Sequence, residues 1–298
     1  MSRCKKIIVM ALASMLAVLA AGCGEKMPDT AAEAIEVINK KADKAEQVDA
    51  AIEMNMSFES LGNRVTMKTD SNLLFFKNPY KLSMDISMDM GEEGQSGMQL
   101  YLAGKDDKYF IYQKESEGEW QKQQISKDVF ENRGEAYCNQ ANLSAYISDS
   151  DTFKIEKTDD KKKIAILKGV VKGESLKKLL EQSGMADNFA GYEIDNLDEK
   201  VFDSLEDASV EIEVDTEKVQ IKKLTFDMSG VMESLMNMVM ESAASELTEE
   251  DKAEKDDLDY SVKVSECTMT ITYNSFEKIK DFEIPKEAED AKETDLGF

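Results

Sequence analysis

Hydrophobic and polar positions change period several times along this chain, and each change marks an element. Thr30-Ala31-Ala32-Glu33 fits a capping box. Ala31, Ile35, Ile38, Ala42, Ala45 and Val48 then recur at three- and four-residue spacing, which predicts a helix to about Asp49. The period next drops to two. Ile52-Met54-Met56-Phe58 alternates with polar residues, and Tyr80-Leu82-Met84-Ile86-Met88-Met90 is the clearest strand signal in the chain. Arg64–Phe76 reads as a longer extended segment closed by Asn78-Pro79. Met98–Ala103 and Lys108–Gln113 read as a hairpin, and Gly118-Glu119-Trp120 turns into a strand reaching Ile125. This is the pattern of an antiparallel meander with one apolar face and one wet face.

The second half repeats the theme less regularly. Lys127–Ile147 is helical in parts, Phe153–Ile155 with Lys163–Val171 reads as a hairpin, and a short helix follows at Gly173–Ser183. Residues 186–207 hold no steady period. Ser209–Asp215 and Val219–Met228 form a further hairpin. The helix at Gly230–Ala244 carries Val231, Met232, Leu235, Met236, Met238, Val239 and Met240, a spread too wide for a one-sided stripe, so most of its circumference is expected to be covered. Tyr260–Tyr273 is the last long strand, and an acidic tail, expected to fray, follows Pro285. No boundary has linker composition, so residues 30–285 read as one α+β domain, with 286–298 as the tail.

The N-terminus adds a compartment. A basic stretch (Arg3, Lys5, Lys6) precedes an apolar run from Ile7 to about Ala21, shorter than the roughly 20 residues of a membrane span. Leu19-Ala20-Ala21-Gly22-Cys23 resembles the bacterial lipobox. That resemblance implies cleavage of residues 1–22, acylation of Cys23 (a palmitate-type chain among its lipids) and a tether over 23–29. The expected location is the extracytoplasmic face of the cell membrane, reached through the lipid anchor. Cys4 leaves with the signal, so Cys138 and Cys267 remain, as a disulfide pair or as buried free thiols.

Charge then limits the partners. The chain carries 37 Lys+Arg against 61 Asp+Glu, a formal charge of −24, and loss of three basic residues with the signal takes it to −27. Nucleic acid and anionic headgroups are therefore unsuited to its surface. The chain has no histidine, which excludes Ser-His-Asp and Cys-His catalysis and His-ligated zinc. It has no Gly-x-Ser-x-Gly, no phosphate-binding glycine loop and no EF-hand spacing among its acids (Asp149, Asp151, Asp159, Asp160, Asp256, Asp257, Asp259). No catalytic residue, metal or cofactor is expected, and a non-enzymatic role follows. Tyr101, Tyr109, Phe110, Tyr112 and Trp120 fall in neighbouring strands, as internal packing or as an aromatic patch for a glycan or partner chain.

The methionine-rich alternation of residues 54–58 and 80–90, the Phe76-Lys77-Asn78-Pro79-Tyr80 turn and the Ile284-Pro285-Lys286-Glu287-Ala288 ending resemble a family of uncharacterised lipoproteins, mostly from Firmicutes, similar in architecture to LolA/LppX-type carriers. The resemblance implies a curved antiparallel half-barrel with helices packed on its concave face, the face that holds acyl chains in the better-known relatives. The candidate ligand-cavity residues are Met54, Met56, Met84, Ile86, Met88, Phe226, Met232, Leu235, Met236 and Val239. Thioethers are unbranched and polarizable, so methionines suit both irregular core filling and a cavity that adapts to varied apolar ligands. Two roles stand side by side: a lipid-anchored module binding a lipid or other apolar ligand, or a structural, interaction or sensor lipoprotein acting through its acidic surface.

Overall fold

The computed structural model describes residues 26–60, 62–91, 94–105, 108–130, 150–159, 161–182, 205–245 and 261–294. Helix α1 (Ala31–Asp43) leads into strands β1 (Gln47–Ser60), β2 (Asn63–Lys77), β3 (Tyr80–Asp89), β4 (Gln95–Lys105), β5 (Lys108–Glu115) and β6 (Gln121–Ile125). Then come β7 (Lys154–Asp159), β8 (Ile164–Val171), α2 (Gly173–Gln182), β9 (Ala208–Asp215), β10 (Gln220–Asp227), α3 (Ser229–Ser245), β11 (Val262–Ser275) and α4 (Lys286–Glu289). The strands form one sheet in the order β6-β5-β4-β3-β2-β1-β11-β10-β9-β8-β7, antiparallel throughout. β6 and β7 are its two edges, so the sheet is open. The first and last long strands meet at its centre, where β1 pairs with β11 from Ser60↔Val262 to Asp49↔Ser275.

Local chemistry explains the turns. Thr30 caps α1 by accepting from the Glu33 N–H at 3.3 Å, as the capping box predicts. Asp159 accepts from the N–H groups of Lys161 and Lys162 (both 3.1 Å), and Asp215 from those of Glu217 and Lys218 (2.9 and 3.0 Å). Asp159, from the acidic clusters, and Asp215 thus each close a hairpin. Gly173 is fixed by contact, because a Cβ there would stand 1.9 Å from the Leu205 carbonyl oxygen.

Helices α1, α2 and α3 lie on one apolar face of the sheet, while the short α4 lies against β5 and β6. Ala34, Ile35 and Ile38 of α1 are at most 1% exposed and join a single core with Val48, Leu73, Phe75, Leu82, Leu102, Leu167, Ile212 and Leu224. α1 packs near β10 and β7, and α3 lies over β11 and β9. The expected α+β architecture, an open antiparallel sheet with its three longer helices on one face, is the one observed.

Three expectations change. The first helix ends at Asp43 rather than Asp49, and Ala45 and Val48 lie beyond it. Val48, Ala50 and Ile52 fit a period of two as well as one of 3.6, and pairing of Gln47 with Phe76 and Val48 with Phe75 decides for the strand. The acidic tail does not fray at Pro285. Ala288 is fully buried, Lys122 pairs with Glu293 along the edge of β6, and the Thr294 N–H donates to the Lys122 carbonyl at 2.8 Å. The tail thereby covers backbone groups of an edge strand that would otherwise stand open. Finally, the aromatic set divides between faces: Tyr109 packs on Phe130 on the helix side, while Tyr101 and Trp120 pair on the other. Cys4, Cys23, Cys138 and most of residues 186–207 lie outside the described residues. No helix among the described residues is long and apolar enough to cross a membrane.

Candidate functional site

Strand register settles which side chains share the helix-bearing face. Met54 stands between Met269 of β11 and Thr69 of β2, and Met56 between Cys267 and Met67. Met84 stands between Leu73 and Leu100, Ile86 between Ser71 and Met98, and Met88 opposite Thr69 and Ser96. Phe226 neighbours Met269 from β10. All six strand candidates therefore lie on one face of the sheet. α3 contributes Met232 and Leu235, buried, with Met236 and Val239 half-buried.

Burial along that face is graded. Toward the start of β1 it is closed, with Val48, Ala50, Leu73, Phe75, Leu82 and Leu102 all at most 2% exposed. Toward the β1–β2 and β3–β4 turns it opens: Ile52, Met54, Met67, Ile86, Met88 and Met98 are half-buried, and Val65 is 40% exposed. Met56, Met84 and Phe226 belong to the buried core, whereas Met54, Ile86 and Met236 pack only partly against it. Met88 and Val239 stand outside that cluster. The face offers a graded apolar surface with no ionisable side chain between Met54 and Ile86.

Two residues escape a hydrophobic search. Thr69 and Ser71 of β2 lie on this face among the methionines, half-buried. Their signal is parity: they continue the alternation of Leu73 and Phe75 two and four residues upstream. They place hydroxyl groups within an otherwise apolar band.

α3 is held by a polar stripe. Ser229, Glu233 and Asn237 recur every four residues and face the backbone of β11. The Cys267 N–H donates to Ser229 Oγ at 2.9 Å, and the Val264 N–H to Glu233 Oε2 at 2.8 Å. The Val262 N–H donates to Asn237 Oδ1 at 2.7 Å, and Asn237 Nδ2 donates to the Val262 carbonyl at 2.9 Å. Strand β10 pairs with β11 only between Thr268 and Thr272. Beyond that point the helix supplies by side chains what a neighbouring strand would supply by backbone.

Cys267 is a free, fully buried thiol. Burial, and then Asp227 and Glu266, push its pKa up to about 12. Among the described residues no group of three or more Cys, Asp or Glu is placed to hold a metal ion.

A family model described as "Family of unknown function (DUF6612)" matches residues 30–293. No curated protein matches the chain. Among solved structures the chain is similar to LprF from Mycobacterium bovis, at 8% identity and a TM-score of 0.40, over 86% of this chain and 96% of that one. It is also similar to a DUF1329 family protein from Desulfovibrio piger, at 11% identity and a TM-score of 0.22, over 83% and 92%. The family match spans nearly every described element, from the cap of α1 to the docked C-terminal segment, and the chain belongs to this family of unknown function.

Proposed function

We propose that this protein is a non-catalytic binding module of the cell envelope, anchored through a lipid on Cys23, that holds a lipid or similar apolar ligand against the helix-bearing face of its sheet. The observation that carries the reading is the burial gradient: one end of the apolar face is fully packed, and the other presents half-buried Met54, Met67, Ile86, Met88 and Met98. Leaving that much apolar surface partly wet costs about 25 cal/mol per Å², a cost that an apolar ligand removes. Methionine suits such a surface because its flexible thioether repacks around different occupants. Thr69 and Ser71 give the same band hydroxyls for a ligand's ester or hydroxyl oxygens.

The test uses residues 27–298 produced without the anchor in a bacterial host. Native mass spectrometry followed by solvent extraction is expected to reveal a stoichiometric lipid. Met236→Lys, placed on a half-buried position of α3, is expected to abolish it while circular dichroism stays unchanged. A clean ligand-free mass together with no thermal shift across a lipid panel would sink the reading.

A further inference from the structure

A concavity lies on the face away from helices α1 to α3, between the β5–β6 turn and the docked C-terminal segment. Its volume is about 600 Å³, and its walls include Lys114, Glu119, Trp120, Glu287, Lys292 and Thr294. That volume lies within the range of small-molecule clefts. Trp120 is the single tryptophan of the chain. Its ring rests on Tyr101 at 5.6 Å, and Tyr101 rests in turn on Phe282 at 5.7 Å, so the indole is braced from beneath by packed aromatics.

We infer that this groove binds a neutral oligosaccharide, with Trp120 as the platform for the apolar face of a sugar ring. Charge decides the class. The groove carries two cations (Lys114, Lys292) and two anions (Glu119, Glu287), balanced in a chain of charge −24. Among the described residues none of the four engages another side chain, so their donors and acceptors are available. An anionic ligand would face two carboxylates, and a cationic one two ammonium groups. An acyl chain would strip water from all four charges with nothing in return. A neutral sugar meets every demand at once: its hydroxyls accept from lysine and donate to glutamate, and its C–H face covers an indole whose other surface is already packed.

Because Trp120 is alone, emission excited at the indole band reports on this groove and on no other part of the molecule. The full chain, in detergent, is titrated with triacetylchitotriose and with maltotriose, both neutral, and glycylglycine serves as the zwitterionic comparison. The expected result is a saturable blue shift with at least one trisaccharide below about 10 mM, weakened about tenfold or more by the double substitution Glu119→Ala, Lys292→Ala. Both substituted side chains lie at the surface, and Trp120 still reports in the variant. Absence of a shift with both sugars would overturn the inference. So would a shift with glycylglycine in place of the sugars, or an affinity that the double variant leaves unchanged. The outcome is independent of whether the opposite face carries a lipid.

Discussion

Asn237 grips both backbone polar groups of Val262, accepting from its N–H at 2.7 Å and donating to its carbonyl at 2.9 Å. A strand ladder makes this same reciprocal pair, so α3 acts here as the missing neighbour of β11. Asn237→Ala removes both bonds to Val262, itself 4% exposed, and leaves its two backbone groups without those partners. The expected loss is about 1–3 kcal/mol, the desolvation cost of orphaned buried polar groups, and it exceeds the few tenths by which alanine improves helix propensity. Denaturant unfolding measures the total. Hydrogen exchange localises it, with the amides of Val262 and Val264 losing protection while those of Ile271 and Tyr273 keep theirs.

Cys267 faces Met56 across the central strand pair and is completely buried. Its raised pKa, at about 12, keeps the thiol protonated and therefore unreactive. The sign follows from linkage. A group whose folded pKa is raised contributes stability that is present below its unfolded value and is lost as pH rises through the folded one. In residues 27–298 carrying Cys138→Ser, a disulfide reagent at pH 8 is expected to leave Cys267 unmodified until denaturant is added. Prompt modification of the folded protein would contradict the burial.

Gly169 lies directly against the Phe153 ring on the helix-bearing face. A Cβ on Gly169 would stand 2.4 Å from the Phe153 ring, itself 5% exposed. Gly169→Ala is therefore an overpacking substitution, expected to cost about 1–3 kcal/mol. Phe153→Leu makes room, so the double variant is expected to lose less than the sum of the two single losses. Additive losses, measured by thermal or denaturant unfolding, would show that the contact is not what excludes the methyl group.

Most of this architecture is legible in the sequence because the sheet has one buried face. Tyr80 to Met88 alternates without a fault, and the structure puts Leu82, Met84 and Ile86 on the core side as the parity requires. Legibility fails where one stretch satisfies two periods. Val48 fits the helix as well as the strand, and a partner 27 residues downstream, Phe75, decides for the strand. It fails again where function of a side chain depends on distant backbone. Ser229, Glu233 and Asn237 look like ordinary polar interruptions of an apolar helix until β11, 25 or more residues later, comes to lie beside them. The candidate cavity residues were readable as a face, since parity places them there. Which of them are packed and which stand open was not, because that depends on how far α3 and its neighbours extend over the sheet.

The last prediction concerns the C-terminal segment, which crosses the face away from the helices. Lys81 of β3 donates to the Asp281 carboxylate and to the Phe282 carbonyl, and its ammonium lies 5.1 Å and 4.9 Å from the ring centres of Phe76 and Phe282. The bond from Lys81 holds the Asp281 carboxyl below its ordinary value of 3.8. A depressed carboxyl contributes stability above its unfolded pKa and loses that contribution as pH falls through the folded value. The segment should thus be fastest to open below about pH 4, where Asp281 takes up a proton. Hydrogen exchange of residues 276–284 is expected to accelerate over that window in the native protein, relative to the core strands. Asp281→Asn is expected to remove the pH dependence, giving the acid rate at neutral pH. Lys81→Met keeps the aliphatic packing between the two rings but removes the charge. It is expected to open the same segment at all pH values, with each lost ring contact worth about 0.5–1 kcal/mol. If Asp281→Asn left the pH profile of residues 276–284 intact, another carboxylate would be the latch, and Glu289 beside Lys105 at 3.0 Å is the next one to test.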